Sequence, residues 1–284
     1  MSDITLLQVL NQLPAAPGNG LILPFASCQP QNLRRVPFAQ CTLMLVLNGE
    51  KQLHRHDTTR LLPGRMLLVP AGAEITFTNQ PVDGRYLAWV VPFDASDLQG
   101  LNPGPVEREV RDFAADPLLL TLMRQWLELG ADFHQDADNL ARRRAELVQR
   151  LRALGFAASL RSGLIRQMST RLQQLLSRDL SRDWQLADVC QALAVSESSL
   201  RRKLDDEHTG FRELLSELRL GQGLNLLQTT HHTIQQVADA CGYRSASRFS
   251  ERFRERFGTS PSELRQQRDN TAAPAEPERP ARCI

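Results

Sequence analysis

The chain has 284 residues, of which 42% are hydrophobic and 23% are charged, and its formal net charge at pH 7 is +2. This length predicts about two domains, and the composition excludes a collagen-like fibre, a coiled-coil rod and a wholly disordered chain. No apolar run approaches the roughly 18 residues of a membrane-spanning helix, and the first residues lack the basic segment of a secretory signal. We therefore expect a cytoplasmic protein without a membrane partner.

The cysteines argue against a stapled or zinc-bound scaffold. They are five in number, an odd count, and none forms a C-x-x-C pair. We expect reduced thiols that mostly serve packing. They are Cys28, Cys41, Cys190, Cys241 and Cys283.

Short strands are predicted between residues 20 and 95. Four segments there are apolar or alternating, and Asn-Gly, Pro-Gly and Asp-Gly turns separate them. Strands this short and this regularly spaced predict a barrel or a sandwich, and we assign residues 1–110 to that domain. The segments are Thr42–Glu50, Arg65–Gly72, Glu74–Asn79 and Arg85–Val91.

Two amphipathic helices are predicted across residues 111–154. They can pack on the domain's own sheet or pair with a second subunit, and we favour dimerisation. Residues 155–163 are predicted to be a linker, and the Ala- and Pro-rich tail, 269–284, is predicted to be disordered. The apolar stripes are Leu118, Leu119, Leu122, Met123, Trp126 and Leu127, then Leu140, Leu147, Leu151 and Leu154.

Residues 164–268 are predicted to be helical and contain an internal near-repeat. Segments 186–204 and 234–253 each place a short helix, a tight turn and a second helix that begins at a serine, Ser196 or Ser245. Each second helix has apolar residues four apart, and this is the helix-turn-helix pattern. The two units span about 184–208 and 233–257 and are joined by a helix from Phe211 to about Leu227.

Local end signals support these helices. Thr233 and Gln236 form a predicted capping box, and Ser260 and Glu263 form another. Gly258 is placed to end the second helix of the second unit. Gly221 and Gly223 interrupt the connecting helix, and we interpret both as sites of close backbone packing, with a hinge as the alternative.

At these residues the chain resembles the AraC/XylS family of bacterial transcription regulators. The stretch "IQQVADACGYRSASRFSERFRERFGTSPSELR" matches the family signature in order and spacing. The resemblance implies an α+β protein with a cupin-like N-terminal domain and a DNA-binding domain over 164–268. It implies promoter DNA and RNA polymerase as partners, and activation as the commoner mode.

Helical periodicity and the resemblance together predict DNA-contacting residues. In the first unit Ser198, Arg201 and Arg202 point away from the buried leucines, where the resemblance places base contacts. In the second unit Ser247, Ser250 and Glu251 lie opposite the phenylalanines and can meet base edges. The alternative is that these side chains form only a solvated face. The predicted phosphate contacts are Ser196, Arg248, Arg252 and Arg254.

The N-terminal segment resembles a cupin barrel less specifically. His54 and His56 imitate the first cupin motif without its glutamate, and Ile75 stands where a metal-binding cupin has histidine. We therefore expect no metal and no cofactor, because catalytic sites usually supply three protein ligands.

The resemblance implies a sensor role for this domain and assigns a small effector to it. Phe77, Tyr86 and Trp89 are candidates to line an effector pocket, with core packing as the ordinary alternative. Two further alternatives are a cupin-type metal enzyme and a regulator controlled by a protein partner only.

Overall fold

The computed structural model describes residues 22–133, 137–164, 168–207 and 209–269, and it confirms the predicted α+β class. The tail beyond Asp269 and the residues before Ile22 lie outside this range. In the described residues nine strands precede all of the helices. They are β1 (Leu23–Ser27), β2 (Gln31–Phe38), β3 (Cys41–Asn48), β4 (Glu50–His54), β5 (Thr58–Leu61), β6 (Arg65–Val69), β7 (Ala73–Gln80), β8 (Tyr86–Phe93) and β9 (Arg111–Ala114).

The described helices follow in chain order, with one 3₁₀ turn at Arg161–Leu164. They are α1 (Pro117–Phe133), α2 (Ala137–Ala153), α3 (Ala157–Leu160), α4 (Met168–Leu176), α5 (Leu186–Leu193), α6 (Glu197–Asp206), α7 (Phe211–Thr229), α8 (Ile234–Ala240), α9 (Ala246–Phe257) and α10 (Pro261–Asp269).

The strands form a two-sheet sandwich, which is one of the two predicted architectures, and not the closed barrel that the cupin resemblance implies. One sheet has the order β1-β8-β3-β6-β9 and the other has the order β2-β7-β4-β5, and all pairs are antiparallel. Among the described strands none is shared between the sheets, so the sheets pack face to face rather than closing on themselves. Alternation along β8 sends Tyr86, Ala88 and Val90 between the sheets and Trp89 to the outer side.

The boundary predicted at residue 111 falls inside the sandwich. Strand β9 pairs with β6 through Leu67 opposite Asp112, and it completes the edge of the five-stranded sheet. The four residues of β9 include only two apolar side chains, Phe113 and Ala114, so the sequence alone does not predict a strand here. The strand forms because it pairs with β6.

Helices α1 and α2 cover the outer face of the five-stranded sheet. Leu119, Met123 and Leu147 are fully buried against a layer that includes Trp89 and Phe93. Most of the apolar side chains of these two helices are therefore buried against the domain's own sheet, which is the alternative to dimerisation. Leu118 is an exception and stays 47% exposed. The side chain of Leu127 lies outside the described residues.

The segment predicted as a linker is packed and hydrogen-bonded. It forms α3 and the 3₁₀ turn, with Ser159 and Ser162 buried. The Ala71 amide donates to Ser162 Oγ at 2.9 Å, and Ser162 Oγ donates to the Ser159 carbonyl at 2.6 Å. The small residues of this segment, which had indicated a linker, instead allow its backbone to pack closely against the sandwich.

The helical region contains two cores that meet along α7. Leu214 and Leu215, early in α7, join the first core with α4, α5 and α6. Leu220 and Leu224, later in α7, join the second core with α8, α9 and α10, and that core is continuous with the interior of the sandwich. Helix α9 contacts β2, and α7 and α10 contact β1. The second unit is thus built onto the N-terminal domain.

The predicted helix ends are confirmed by their hydrogen bonds. Thr233 and Gln236 form the capping box of α8, and the Ser260 amide donates to Glu263 Oε2 at 2.8 Å at the start of α10. Gly258 ends α9 with φ of 79° in the left-handed region. Ala194, which ends α5, the first helix of the first unit, also lies in the left-handed region, with φ of 52°.

The described part of the chain holds no helix that is both long enough and apolar enough to cross a membrane.

The two glycines of α7 differ, and their substitution separates close packing from helix propensity. A Cβ at Gly223 would lie 2.7 Å from the Phe249 ring, whereas a Cβ at Gly221 would meet nothing within 4 Å. The predicted close packing is therefore right for Gly223 and wrong for Gly221. We expect Gly223→Ala to lower the free energy of unfolding by about 1–3 kcal/mol through overpacking.

Gly221→Ala is the matched control for that substitution. It should leave the free energy of unfolding unchanged or raise it by about 0.4–1 kcal/mol, because alanine restricts the unfolded chain and favours helix. Urea denaturation measures both variants. Equal stabilities for the two would contradict the contact between Gly223 and Phe249.

Candidate nucleic-acid interface

Helix α6 presents an exposed polar face opposite two buried leucines. Ser196 caps it by accepting the Ser199 amide at 3.2 Å, and Leu200 and Leu204 are buried in the first core. The predicted base-contacting residues Ser198, Arg201 and Arg202 are all exposed.

Part of that face is tied by local contacts. Arg201 forms an ion pair with Glu197 one turn earlier, with side chains 66% and 55% exposed. The hydroxyls of Ser196 and Ser198 lie 3.2 Å apart. Exposed ion pairs of this kind contribute about 0–1 kcal/mol, so a stronger anionic partner can replace Glu197 at Arg201.

Helix α9 is oriented by its aromatic stripe. Phe249, Phe253 and Phe257 are fully buried, and successive ring centroids lie 5.5 Å and 4.7 Å apart in tilted or edge-on geometry. Ser245 caps the helix by accepting the Arg248 amide at 3.3 Å. With one face locked in the core, the opposite face is turned to solvent.

The exposed face of α9 forms a shallow concave surface. Of the predicted DNA contacts, Ser247, Arg248, Glu251, Arg252 and Arg254 are exposed and Ser250 is half-buried. Arg252 pairs with Glu255 at 3.0 Å. The residues that line the depression are Ser245, Ser247, Arg248, Glu251, Arg252 and Glu255.

Arg256 differs from the other arginines of α9 because it joins the two domains. Its Nη2 atom lies 2.6 Å from Glu74 Oε1 on β7 and 3.1 Å from Glu217 Oε1 on α7, and its side chain is only 11% exposed. Arg35 pairs with the same Glu74 at 3.1 Å. Sequence reasoning missed this role, although the three-residue step from Phe253 places Arg256 near the buried side of the helix.

The two carboxyl groups around Arg256 respond to it differently. Burial raises the pKa of Glu74, but the hydrogen bonds and charges of Arg256 and Arg35 outweigh burial and leave the pKa below its ordinary value. Burial dominates at Glu217 and holds its pKa above the ordinary value, although Arg256 opposes this.

The predicted effector-pocket residues do not share a cavity. Phe77 and Tyr86 are buried between the two sheets, whereas Trp89 is buried on the opposite side of β8, beneath α1 and α2. The period of two along a strand separates Trp89 from Tyr86, because their positions differ by an odd number. The three side chains therefore cannot line one pocket.

The histidines of the cupin-like motif make ordinary contacts. His54 Nε2 lies 2.7 Å from Thr78 Oγ1 on the neighbouring strand, and His56 is exposed beyond the end of β4. Within the described ranges no cluster of three potential metal ligands occurs.

A cleft of about 830 Å³ separates the sandwich from the first helix-turn-helix unit. Arg35 and Arg108 line it from the N-terminal side, and Glu207, Glu213 and Glu217 line it from the helical side. Glu207 also accepts the Met168 and Ser169 amides at 2.7 and 2.9 Å, so it fixes the start of α4. The first unit thus meets the sandwich across a polar opening, while the second unit shares its core.

Comparisons with known proteins agree with this geometry. Residues 189–267 match the family model described as "Helix-turn-helix domain". The chain is 34% identical over 110 residues to the HTH-type transcriptional regulator YdeO of Escherichia coli O157:H7, covering 39% of this chain and 43% of that protein. It is 34% identical over 109 residues to the HTH-type transcriptional activator FapR of Escherichia coli, covering 38% and 42%.

These relatives match only in part. The chain spans less than half the length of the curated relatives it matches, including the urease operon transcriptional activator of Escherichia coli, which is 33% identical over 96 residues and covered to 32% of its length. The unsaturated fatty acid-bound wild-type ToxT of Vibrio cholerae superposes with a TM-score of 0.66 at 16% identity, covering 91% of this chain and all of that one. The ToxT likeness shows the fold of both domains together.

The Arg256–Glu74 contact predicts a pH-dependent contribution to stability. The pKa of Glu74 is lowered in the folded chain, so its contribution is present above the unfolded pKa and is lost as pH falls through the folded pKa. We expect Glu74→Gln to be less stable than the native chain at neutral pH, with the difference shrinking as the solution is acidified. Urea denaturation at a series of pH values measures it.

The Arg256→Gln background serves as the control for that series. Adding Glu74→Gln to it should cost less than Glu74→Gln alone, because the main partner is already gone and only Arg35 remains. A difference that does not depend on pH would contradict the ion pair's contribution.

Proposed function

We propose that this chain, whose C-terminal region is an AraC-type helix-turn-helix domain, is a sequence-specific transcription regulator that binds promoter DNA through both of its helix-turn-helix units. The AraC/XylS resemblance predicted from the sequence motifs is confirmed for that domain. The observation that carries the proposal is the pairing of two exposed polar helix faces, on α6 and α9, each opposite a fully buried apolar stripe.

The two faces carry the chemistry of groove reading. Arg201 and Arg202 can donate two hydrogen bonds each to a guanine, and Ser198 can donate or accept. On α9, Ser247 and Ser250 can meet base edges, and Glu251 can accept from a cytosine amino group. We assign the phosphate contacts, which set position rather than sequence, to Ser196, Arg248, Arg252 and Arg254.

The presence of two units predicts one asymmetric site per chain. We expect two recognition helices joined by α7 to meet successive major grooves about 34 Å apart on one side of the duplex. The two half-sites then have different preferred base sequences, because α6 offers arginines to the bases and α9 offers serines and a glutamate.

We propose that the N-terminal domain controls this binding by receiving an effector or a regulatory protein. ToxT, which shares the fold, binds an unsaturated fatty acid, and on that likeness an amphipathic carboxylate is one candidate effector. The charge of the cleft between the sandwich and the first unit does not add support, because Arg35 and Arg108 line it beside five carboxylates, Glu74, Asp206, Glu207, Glu213 and Glu217. A thermal-unfolding screen of metabolites detects a small-molecule effector, and co-purification detects a regulatory protein. The two experiments together show which kind of partner the N-terminal domain binds.

Activation is the favoured sign of regulation, because two of the relatives are named as activators. We propose that the chain acts in the bacterial cytoplasm, recruits RNA polymerase and works without catalysing a reaction. Homodimerisation also stays a prediction, and light scattering of the purified chain measures it. A cupin-type enzyme is the alternative, and metal analysis with an activity screen tests it.

Genome-wide mapping of the DNA that the protein binds identifies a specific duplex, which is then used to test the proposed DNA contacts. Arg201→Ala should then weaken binding to that duplex by about 1–3 kcal/mol and change binding to a scrambled duplex little, because a base contact is lost. Arg248→Ala should weaken both duplexes alike and lower the salt slope by about one, because a phosphate contact is lost. Titration by fluorescence anisotropy at several salt concentrations measures both.

Arg152→Ala is the matched control, since Arg152 is exposed on α2, outside the helix-turn-helix domain. It removes the same charge and should leave both affinities unchanged. If Arg201→Ala binds both duplexes as the native chain does, α6 does not read bases at that position.

A further inference from the structure

A row of polar side chains crosses the inner face of the four-stranded sheet at one end of the sandwich. Gln31 on β2 and Lys51 on β4 both lie opposite Asn79 on β7 in the strand register. Two residues along each strand, the next row on the same face is Leu33, Phe77 and Leu53, which belong to the core between the sheets. The polar row therefore faces the interior and not the solvent.

These side chains are buried almost completely. Lys51 is 3% exposed, Gln31 is 1% exposed, and Asn79 is fully buried. Tyr86, at the start of β8 on the opposing sheet, is also fully buried, and the Lys51 Nζ atom lies 5.6 Å from its ring and 3.5 Å from the ring of Phe77. Burial lowers the pKa of Lys51 well below its ordinary value.

Hydrogen-bond donors outnumber acceptors in this cluster. Lys51 Nζ donates to Asn79 Oδ1 at 2.6 Å, and Asn79 Nδ2 donates to Gln31 Oε1 at 3.2 Å. Gln31 Nε2 and the Tyr86 hydroxyl have no partner among the described residues. In its protonated form Lys51 has three donors, and one of them meets a side-chain acceptor among the described residues.

The cluster also lacks an internal counter-charge. Glu50 is the neighbour of Lys51 along β4, but alternation turns it to the other face, where it pairs with Arg60. No carboxylate in the described part of the chain forms an ion pair with Lys51. Buried donors without partners are costly, and an anion bound beside Lys51 stabilises the protonated amine that burial disfavours. The cluster therefore favours an occupant that supplies acceptor atoms and negative charge.

We propose that this polar end of the sandwich is a binding site for a compact, oxygen-bearing monoanion, held by Lys51 Nζ, Gln31 Nε2 and the Tyr86 hydroxyl. Because the three side chains expose almost no surface, we propose anions of a few heavy atoms, such as formate, acetate or nitrate, as occupants. The site is distinct from the cleft between the domains, which none of these three side chains lines. The proposal that the anion regulates the protein rests on the DNA-binding function proposed above. The proposal that the anion binds at this site does not.

Thermal unfolding of the full-length chain tests the site with formate, acetate and nitrate as probes. Ionic strength is held constant with benzenesulfonate, an anion too large for the site. We expect a saturable rise in Tm of at least about 2 °C with a small anion, and isothermal titration should give one site per chain. A preference for formate and acetate over nitrate identifies a carboxylate ligand, and the reverse identifies an inorganic oxyanion.

Three variants decide where the anion binds. Lys51→Met removes the amine, and Asn79→Asp places a fixed carboxylate beside it, so each should weaken anion binding at least tenfold. Lys203→Met is the matched control, because it removes the same group from an exposed position on α6, and it should bind as the native chain does. Should Lys51→Met fail to fold, Asn79→Asp still decides.

The outcomes separate the site from its role. Equal shifts with benzenesulfonate, or shifts unchanged in Lys51→Met and Asn79→Asp, mean an adventitious ion only and overturn the proposal. Anion binding that those variants abolish supports the site, even where the chain binds no promoter DNA. A change in promoter affinity with the anion, lost in Asn79→Asp, further supports a signalling role.

Discussion

Burial of the phenylalanine stripe of α9 is the interaction that fixes the orientation of the second helix-turn-helix unit. Phe249, Phe253 and Phe257 are fully excluded from solvent, and full burial of each contributes about 1.5–3 kcal/mol. Because they share one side of the helix, they leave a single orientation of α9, in which Ser247, Arg248, Arg252 and Arg254 face outward. Phe249 packs against Gly223, so the same contact joins α9 to the connecting helix. The orientation of the exposed face of α9 and the contact between α9 and α7 thus depend on the same packed residues.

That core extends into the sandwich and makes the two units unequal. The second unit shares its interior with the N-terminal domain and is held further by Arg256 between Glu74 and Glu217. The first unit has a separate core and meets the sandwich across an open polar cleft. A signal at the N-terminal domain, as proposed above, has two routes to the DNA-binding region, through the shared core to α9 or across the cleft to α6. Helix α7 contributes to both cores and so connects the two routes.

Features set by neighbouring residues were predictable, and features set by distant pairing were not. The capping boxes, the left-handed Gly258 and the buried stripes follow from spacing within one helix, and each is found as predicted. The barrel, the linker and the common pocket for Phe77, Tyr86 and Trp89 were wrong, because each depends on how strands pair and which faces meet. Strand β9 was missed for the same reason. The DNA contacts themselves stay predictions.

A chain with a net charge of only +2 can still bind a polyanion when its cations are held in replaceable pairs. Arg201 with Glu197 and Arg252 with Glu255 are exposed on α6 and α9, the two helices proposed to contact DNA, and such pairs contribute little to stability. Exchange of those carboxylates for phosphate or guanine therefore costs little. Arg256, which is buried between domains, is unavailable for the same exchange. The distinction between exposed and buried arginines, rather than their number, determines which of them can serve recognition and which hold the domains together.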